Sequence, residues 1–163
     1  MEQVSRSYGW AAHAAIAICV VFAASFIGNA ATMPNIPTWY AEIQKPWFTP
    51  PNWLFGPVWT LLFTALIVAF YRILRIDPQT PGRGRAIIIF IVQIAFNSLW
   101  SIVFFGMRSP GLGLLVIVFL WSSILANMIV FRRLDKLSSW PFPPYLAWVT
   151  FAGALNLAIF LMN

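Results

Sequence analysis

The chain has 163 residues, 61% of them hydrophobic and only 9% charged, with a formal net charge of +6 and a mean hydropathy of +0.81. A soluble domain carries roughly 25% charged residues, so a fold this poor in charge has no surface to offer water, and soluble enzymes and soluble binding modules are excluded. The positive charge is not a nucleic-acid patch either, because the basic residues stand at the ends of apolar runs and in short connections, where membrane proteins keep them.

Met1–Gly9 is a polar start with one basic residue, Arg6. Residues 10–31 then form an apolar run long enough to cross about 30 Å of hydrocarbon as a helix. Gly28-Asn29-Ala30 offers the small residues of a leader cleavage point, but the run is longer than a leader's apolar core and Glu2 offsets Arg6. It therefore reads as a span. His13 has no metal-binding neighbour and reads as packed or interfacial. Cys19 is the single cysteine, so no intramolecular disulfide forms.

A Pro/Trp-rich loop follows at residues 34–54. The stretch Trp39 to Trp59, WYAEIQKPWFTPPNWLFGPVW, holds four of the nine tryptophans. Its prolines prevent one regular helix, and Pro50–Pro51 forces Thr49 out of the α region. Indoles want an apolar body and a wet N–H, which a membrane boundary or a pocket mouth provides. The second span is expected at 55–75, with Pro57 in its first turn, where a missing N–H costs little. Arg72 and Arg75 close it, and DPQTPGRG (77–84) is a turn. Further spans are expected at 85–107, 112–131 and 140–162, the last entered through Pro141, Pro143 and Pro144. The fold class is all-α: a single integral membrane domain of five transmembrane helices over 1–163, with lipid as a partner. Ala154-x-x-x-Ala158 in the fifth span allows the close helix approach of a homodimer.

The basic residues set an orientation. Arg6, then Arg72, Arg75, Arg83 and Arg85, then Arg132, Arg133 and Lys136 fall on one side, against Lys45 and Arg108 on the other. The positive-inside rule places the N-terminus in the cytoplasm, and the Trp-rich loop and the C-terminus outside.

Hydrolytic and metal chemistry have little to draw on. The acids Glu2, Glu42, Asp77 and Asp135 all lie outside the spans, and no CxxC, HExxH, GxSxG or phosphate-binding glycine loop occurs. What remains is uncharged polarity within apolar helices. Gln93 and Asn97 share a helix face with Trp100, while Asn127 and Asn156 lie in the last two spans. Unpaired amides are costly in hydrocarbon, so all four should point into the bundle; Gln93, Asn127 and Asn156 are expected to bond other helices, while Asn97, with Trp100 beside it as a stacking plane, reads equally as a helix-bonding amide or a ligand anchor. Tyr40, Trp59, Phe63, Trp100 and Trp148 come from the loop and three spans and would line one cavity if the bundle closes around them. Trp10, Trp121 and Trp140 read as boundary-belt residues near span ends.

The loop pattern W-Y-x-x-[IL]-x-K-P-x-[WF]-x-P-P, followed by the helix start at Trp59, resembles the first loop of the tryptophan-rich sensory protein family, also called translocator protein or peripheral benzodiazepine receptor. QIAFNSLWSIVFFGM (93–107) resembles that family's third helix, and PYLAW (144–148) with Leu155–Asn156 its fifth. The resemblance implies a five-helix bundle that requires no cofactor and binds porphyrins, such as protoporphyrin IX or haem, and aromatic ligands such as isoquinoline carboxamides. The pocket would lie within the bundle under the first loop, and the output would be sensory, regulatory or transport. Matched positions put Tyr40, Pro50, Trp59, Phe63, Asn97, Trp100, Trp148 and Ala152 at that pocket. The resemblance also implies a rival, light- and oxygen-dependent porphyrin breakdown using Trp59 and Trp148. The animal members' C-terminal sterol-recognition pattern is absent, since no Tyr or basic residue stands in ALNLAIFLMN. That weakens the case for sterol binding and points to a bacterial member, in the inner membrane of the cell envelope by preference and the outer membrane as alternative.

Overall fold

The computed structural model describes residues 2–163, with side chains from Gly9 onward; Arg6, the polar start and its part in the orientation lie outside the described side chains. Among the described residues, six α-helices and three short helical turns follow one another. They are α1 (Glu2–Thr32), a 3₁₀ turn (Met33–Asn35), α2 (Trp39–Glu42), α3 (Asn52–Leu74), α4 (Arg83–Ser101) running into a π turn (Ile102–Gly106), α5 (Pro110–Leu134), a 3₁₀ turn (Leu137–Ser139) and α6 (Phe142–Met162). Among the described residues, five helical segments are long and apolar enough to span a membrane: Gly9–Asn35, Asn52–Leu74, Arg83–Gly106, Pro110–Leu134 and Leu137–Met162. Hydrocarbon has no water to satisfy backbone groups, so runs rich in β-branched and aromatic residues are still driven into helices there.

Most span ends shift by a few residues from the sequence reading, and two of these shifts matter here. α3 starts at Asn52, directly after Pro51, whose extended backbone (φ −59°, ψ 141°) caps it. Pro57 therefore lies inside the helix and not in its first turn, and Trp53 loses the amide donor its carbonyl would have had. The third span ends in a π turn at Gly106. Arg108 then adopts a left-handed φ of 52°, and Ser109 caps α5 by accepting from Leu112 N at 3.5 Å.

α1 packs against α3 and α4, and α5 lies between α4 and α6. Lipid tails are as apolar as leucine, so the helices associate by close packing of small residues and by interhelical hydrogen bonds. Ser98 Oγ donates to Ala24 O at 2.9 Å, joining α4 to α1. At Gly113 on α5, an added Cβ would stand 2.8 Å from Asn156 Oδ1 and 3.2 Å from Phe104, so only glycine lets α5 meet α6 there.

The bundle is dense at one end and hollow at the other. At the end carrying Arg72, Arg83 and Arg132, Phe70 stacks on Phe90 at 4.2 Å, and Phe90 and Phe131 pack onward to Phe142. All four are fully buried. On this face Arg72 Nε and Nη2 grip Asp135 at 2.6 and 3.1 Å, and that hydrogen bond holds the Asp135 carboxyl below its ordinary range.

Candidate functional site: an aromatic cavity under the first loop

The hollow end contains a cavity of about 690 Å³ walled by α1, α3, the end of α4 and α6. Four elements aim rings at it. Trp59 and Phe63, one turn apart on α3, stack at 5.3 Å. Trp100 lies flat on Phe104 at 5.2 Å. Trp148 on α6 meets Phe55 edge-on at 5.8 Å, and Trp59 meets Tyr145 at 6.1 Å. These last two contacts bring α3 and α6 together through rings, which leaves room between their backbones.

Over the cavity sits the short helix α2. Trp39 packs edge-on against Phe104 and Phe105, and Tyr40 packs edge-on against Phe104 and tilted against Phe105, at 5.5 to 6.5 Å. The π turn explains how two consecutive phenylalanines both serve this cap, since its wider turn re-aims side chains that a regular helix would splay apart. Lys45 fixes α2 from below. Its ammonium donates to the carbonyls of Tyr40, Ala41 and Ile43 and lies 4.9 Å from the Tyr40 ring centre, the position a helix C-terminus favours for a cation. Tyr40 is buried, and burial raises its phenol above the ordinary value. The loop is also tied to α6, because Asn163 Oδ1 accepts from Gln44 N at 3.0 Å while its amide nitrogen donates to Gln44 O at 3.1 Å.

The polar groups of the site form two knots. Gln93 and Asn97, adjacent on one face of α4, donate to the Tyr145 hydroxyl at 2.9 and 2.8 Å. Trp100 Nε1 donates to Asn156 Oδ1 at 3.1 Å, and Asn156 Nδ2 donates to Pro110 O at 2.7 Å. Asn127 donates to Ile89 O at 3.3 Å. All four amides thus bond other helices, as expected of polar groups in hydrocarbon. Asn97 does so while also facing the cavity. Trp148 Nε1 is buried, lacks a partner among the described residues and belongs to the cavity wall.

Of the residues singled out from sequence, Tyr40, Trp59, Phe63, Asn97, Trp100, Trp148 and Ala152 share this cavity, whereas Pro50 is not part of its wall. Pro50 closes the loop just before α3 and is half-buried. Trp121 is no boundary residue: it lies halfway along α5 and donates its indole N–H to Thr150 Oγ1 at 2.9 Å. Reading the sequence missed Tyr145 as the shared acceptor, although PYLAW contains it. It also missed Phe104 and Phe105, whose common aim depends on the π turn, and the entire contribution of α1.

The sequence profile of the TspO/MBR family matches residues 15–162. The chain belongs to the TspO/MBR family. It is 40% identical over 146 residues to the tryptophan-rich protein TspO of Archaeoglobus fulgidus, covering 90% of this chain and 94% of that one. It is 38% identical over 150 residues to the tryptophan-rich protein TspO of Chlorobaculum tepidum, covering 91% and 95%. The human translocator protein is 30% identical over 126 residues, covering 77% and 75%. Family membership and the five spans together make this a multi-pass integral membrane protein.

Proposed function

We propose that this TspO/MBR family member is a membrane receptor or translocator for tetrapyrroles, protoporphyrin IX or haem, and that its cavity also takes flat aromatic ligands of the isoquinoline carboxamide type. The observation that carries this reading is the cavity itself. A pocket of about 690 Å³ falls in the usual range for small-molecule sites, roughly 300–1,000 Å³. Its walls are aromatic planes, with a few amides fixed by bonds to other helices. A flat conjugated macrocycle binds by stacking and apolar burial and needs few polar anchors. Tyr40, Trp59, Phe63, Asn97, Trp100, Trp148 and Ala152 are the proposed contacts, and Pro50 acts by shaping the loop. No resident cofactor is needed for this.

A second reading is supported by Trp59 and Trp148, which stand on two walls of the same space. An indole stacked on an excited porphyrin is a source of electrons for light- and oxygen-dependent breakdown. Titrating the purified protein with protoporphyrin IX separates the two readings. Saturable binding, dark and illuminated, without conversion supports the receptor. A porphyrin product accumulating over several turnovers, only in light and oxygen, supports the enzyme. No saturable binding removes both.

The proposed orientation places the basic face of the bundle in the cytoplasm and the loop capping the cavity outside, in a cell-envelope membrane. Reporter fusions at Arg83 and Lys136 are expected to report cytoplasm, and a fusion at Lys45 the opposite side. Lys45 and Arg83 on the same side would contradict the five-span topology.

A further inference from the structure

The cavity has one open side. Each wall residue supplied by α4, its π turn, α6 or α2 is buried or half-buried, whereas every exposed wall residue lies on α1 with its following 3₁₀ turn or on α3. On α1 these include Phe22 and Asn29, and on α3 Trp53, Gly56, Thr60 and Thr64. With Ile18 and the half-buried Ser25 and Thr32 included on α1, both sets recur every three or four residues, so each is one stripe along a helix. A residue that borders the cavity and is also exposed marks where the cavity meets the outside. The stripes flank a seam reaching down to Ile18 and Ile67, below which the dense core begins. The seam's exposed edge runs up to Met33 and Trp53 at the loop end, but α2 itself covers the cavity: Tyr40 is 4% exposed, Lys45 donates to the carbonyls of Tyr40 and Ala41, and Gln44 just beyond α2 is tied to Asn163.

The seam runs along membrane-spanning helices, so it faces lipid and not water, yet its edges are polar. Thr60 Oγ1 donates to Gly56 O at 2.9 Å and Thr64 Oγ1 to Thr60 O at 2.7 Å, which spends each hydroxyl proton within the helix and leaves the oxygens of these exposed residues as acceptors. Across the gap, Thr32 does the same toward Gly28 O, and the Asn29 amide reaches Ser25 Oγ at 3.5 Å. Back-bonded threonines are ordinary in membrane helices. Here, however, they border the only exposed part of the wall among the described residues. At Gly56 an added Cβ would meet nothing within 4 Å, so packing against another helix does not explain that glycine; Pro57 beside it accounts for part of the preference.

We infer that the cavity is filled sideways from the bilayer, through the seam between α1 and α3, by a membrane-dissolved flat amphiphile whose apolar body crosses the gap while its polar edge passes along the hydroxyl and amide rims. The inference rests on the cavity being the tetrapyrrole site. It makes the capping loop a fixed roof and not the way in.

The test uses the full chain in phosphatidylcholine vesicles, with protoporphyrin IX delivered from the same bilayer and tryptophan quenching followed by stopped flow. Thr60→Phe and Ser25→Phe narrow the seam from opposite sides. Each is expected to slow association and dissociation by about tenfold or more while equilibrium affinity and the unfolding temperature stay near the parent's. Thr60→Val, of nearly unchanged size, and Lys45→Ala, which loosens the roof, are expected to keep association within about twofold. Faster association in Lys45→Ala with no change in Thr60→Phe would overturn the inference. So would lost affinity in Thr60→Phe without slower association, since the residue would then belong to the ligand's seat. If the parent binds no protoporphyrin IX, the tetrapyrrole reading is what fails, and a ligand-free measurement judges the seam. Phosphatidylcholine brominated on its tails should quench Trp59, read as the difference between parent and Trp59→Phe. Thr60→Phe should abolish that difference, and an undiminished difference would overturn the inference.

Discussion

Trp59→Ala weakens protoporphyrin IX binding ten- to a hundredfold, and Trp59→Phe weakens it only a few-fold. The indole lies on the cavity wall, stacked on Phe63 at an interplanar angle of 27°, so the Phe63 ring backs the indole and helps hold its orientation. Removing an aromatic platform from beneath a flat conjugated ring costs about 1–3 kcal/mol, which sets the alanine expectation. Phenylalanine keeps a ring in place and forfeits only part of a stacking contribution of about 0.5–1.5 kcal/mol. The same two variants separate receptor from photo-oxidant. Phenylalanine is much harder to oxidise than indole, so under the enzyme reading Trp59→Phe loses porphyrin breakdown while affinity is nearly kept. Tryptophan quenching on titration, with absorbance of the porphyrin followed under illumination, checks both. A Trp59→Ala protein that binds as tightly as the parent would remove this residue from the site.

Tyr145→Phe has the largest expected effect on stability. The hydroxyl accepts from both Gln93 and Asn97; Gln93 is 0% exposed and Asn97 5%. Deleting it takes from two buried amides the hydrogen-bond acceptor they share. A single unsatisfied buried group costs about 1–3 kcal/mol, whereas interhelical hydrogen bonds in membrane proteins average about 0.6 and reach about 1.7 kcal/mol. Since two donors lose one acceptor, the loss is placed at about 2 kcal/mol. Adding Gln93→Leu to Tyr145→Phe should recover part of it, because an apolar pair leaves fewer orphaned groups. Thermal unfolding in detergent reads all three proteins. Equal unfolding of parent and Tyr145→Phe would mean that the two amides find partners elsewhere.

How far the sequence carried this picture depends on the kind of signal. Run length and charge position fix the spans, because hydrocarbon imposes helices and expels Arg72, Arg83 and Arg132 to the ends. The aromatic constellation is legible only in part: Trp59 and Phe63 stand one helical turn apart, whereas Trp100 and Trp148 lie on separate spans and join them only through the resemblance of the loop and helix motifs to the family. Helix starts were less legible where prolines compete. Both Pro51 and Pro57 can begin a helix, and only the extended backbone at Pro51 decides between them. The π turn carries no composition signal, so the joint role of Phe104 and Phe105 stayed hidden. Tyr145 was visible as a residue but not as an acceptor, since that role requires knowing which face of α6 meets α4. The role of α1 was the least legible. Its stripe of Ser25, Asn29 and Thr32 resembles ordinary small polar residues of a membrane helix until the cavity is seen behind it.

The central claim, that the ligand occupies the space between α1, α3, α4 and α6, is tested most directly by filling that space. Ala152 is half-buried on the α6 wall, so Ala152→Trp places an indole in the cavity without uncovering any polar group. The measurement is equilibrium titration of this variant with protoporphyrin IX, in the dark, beside its thermal unfolding. A cavity site predicts that saturable binding is lost or weakened by about a hundredfold or more, roughly 3 kcal/mol, in a protein that unfolds near the parent's temperature. Undiminished affinity in a folded Ala152→Trp protein would contradict it and place the ligand elsewhere on the molecule.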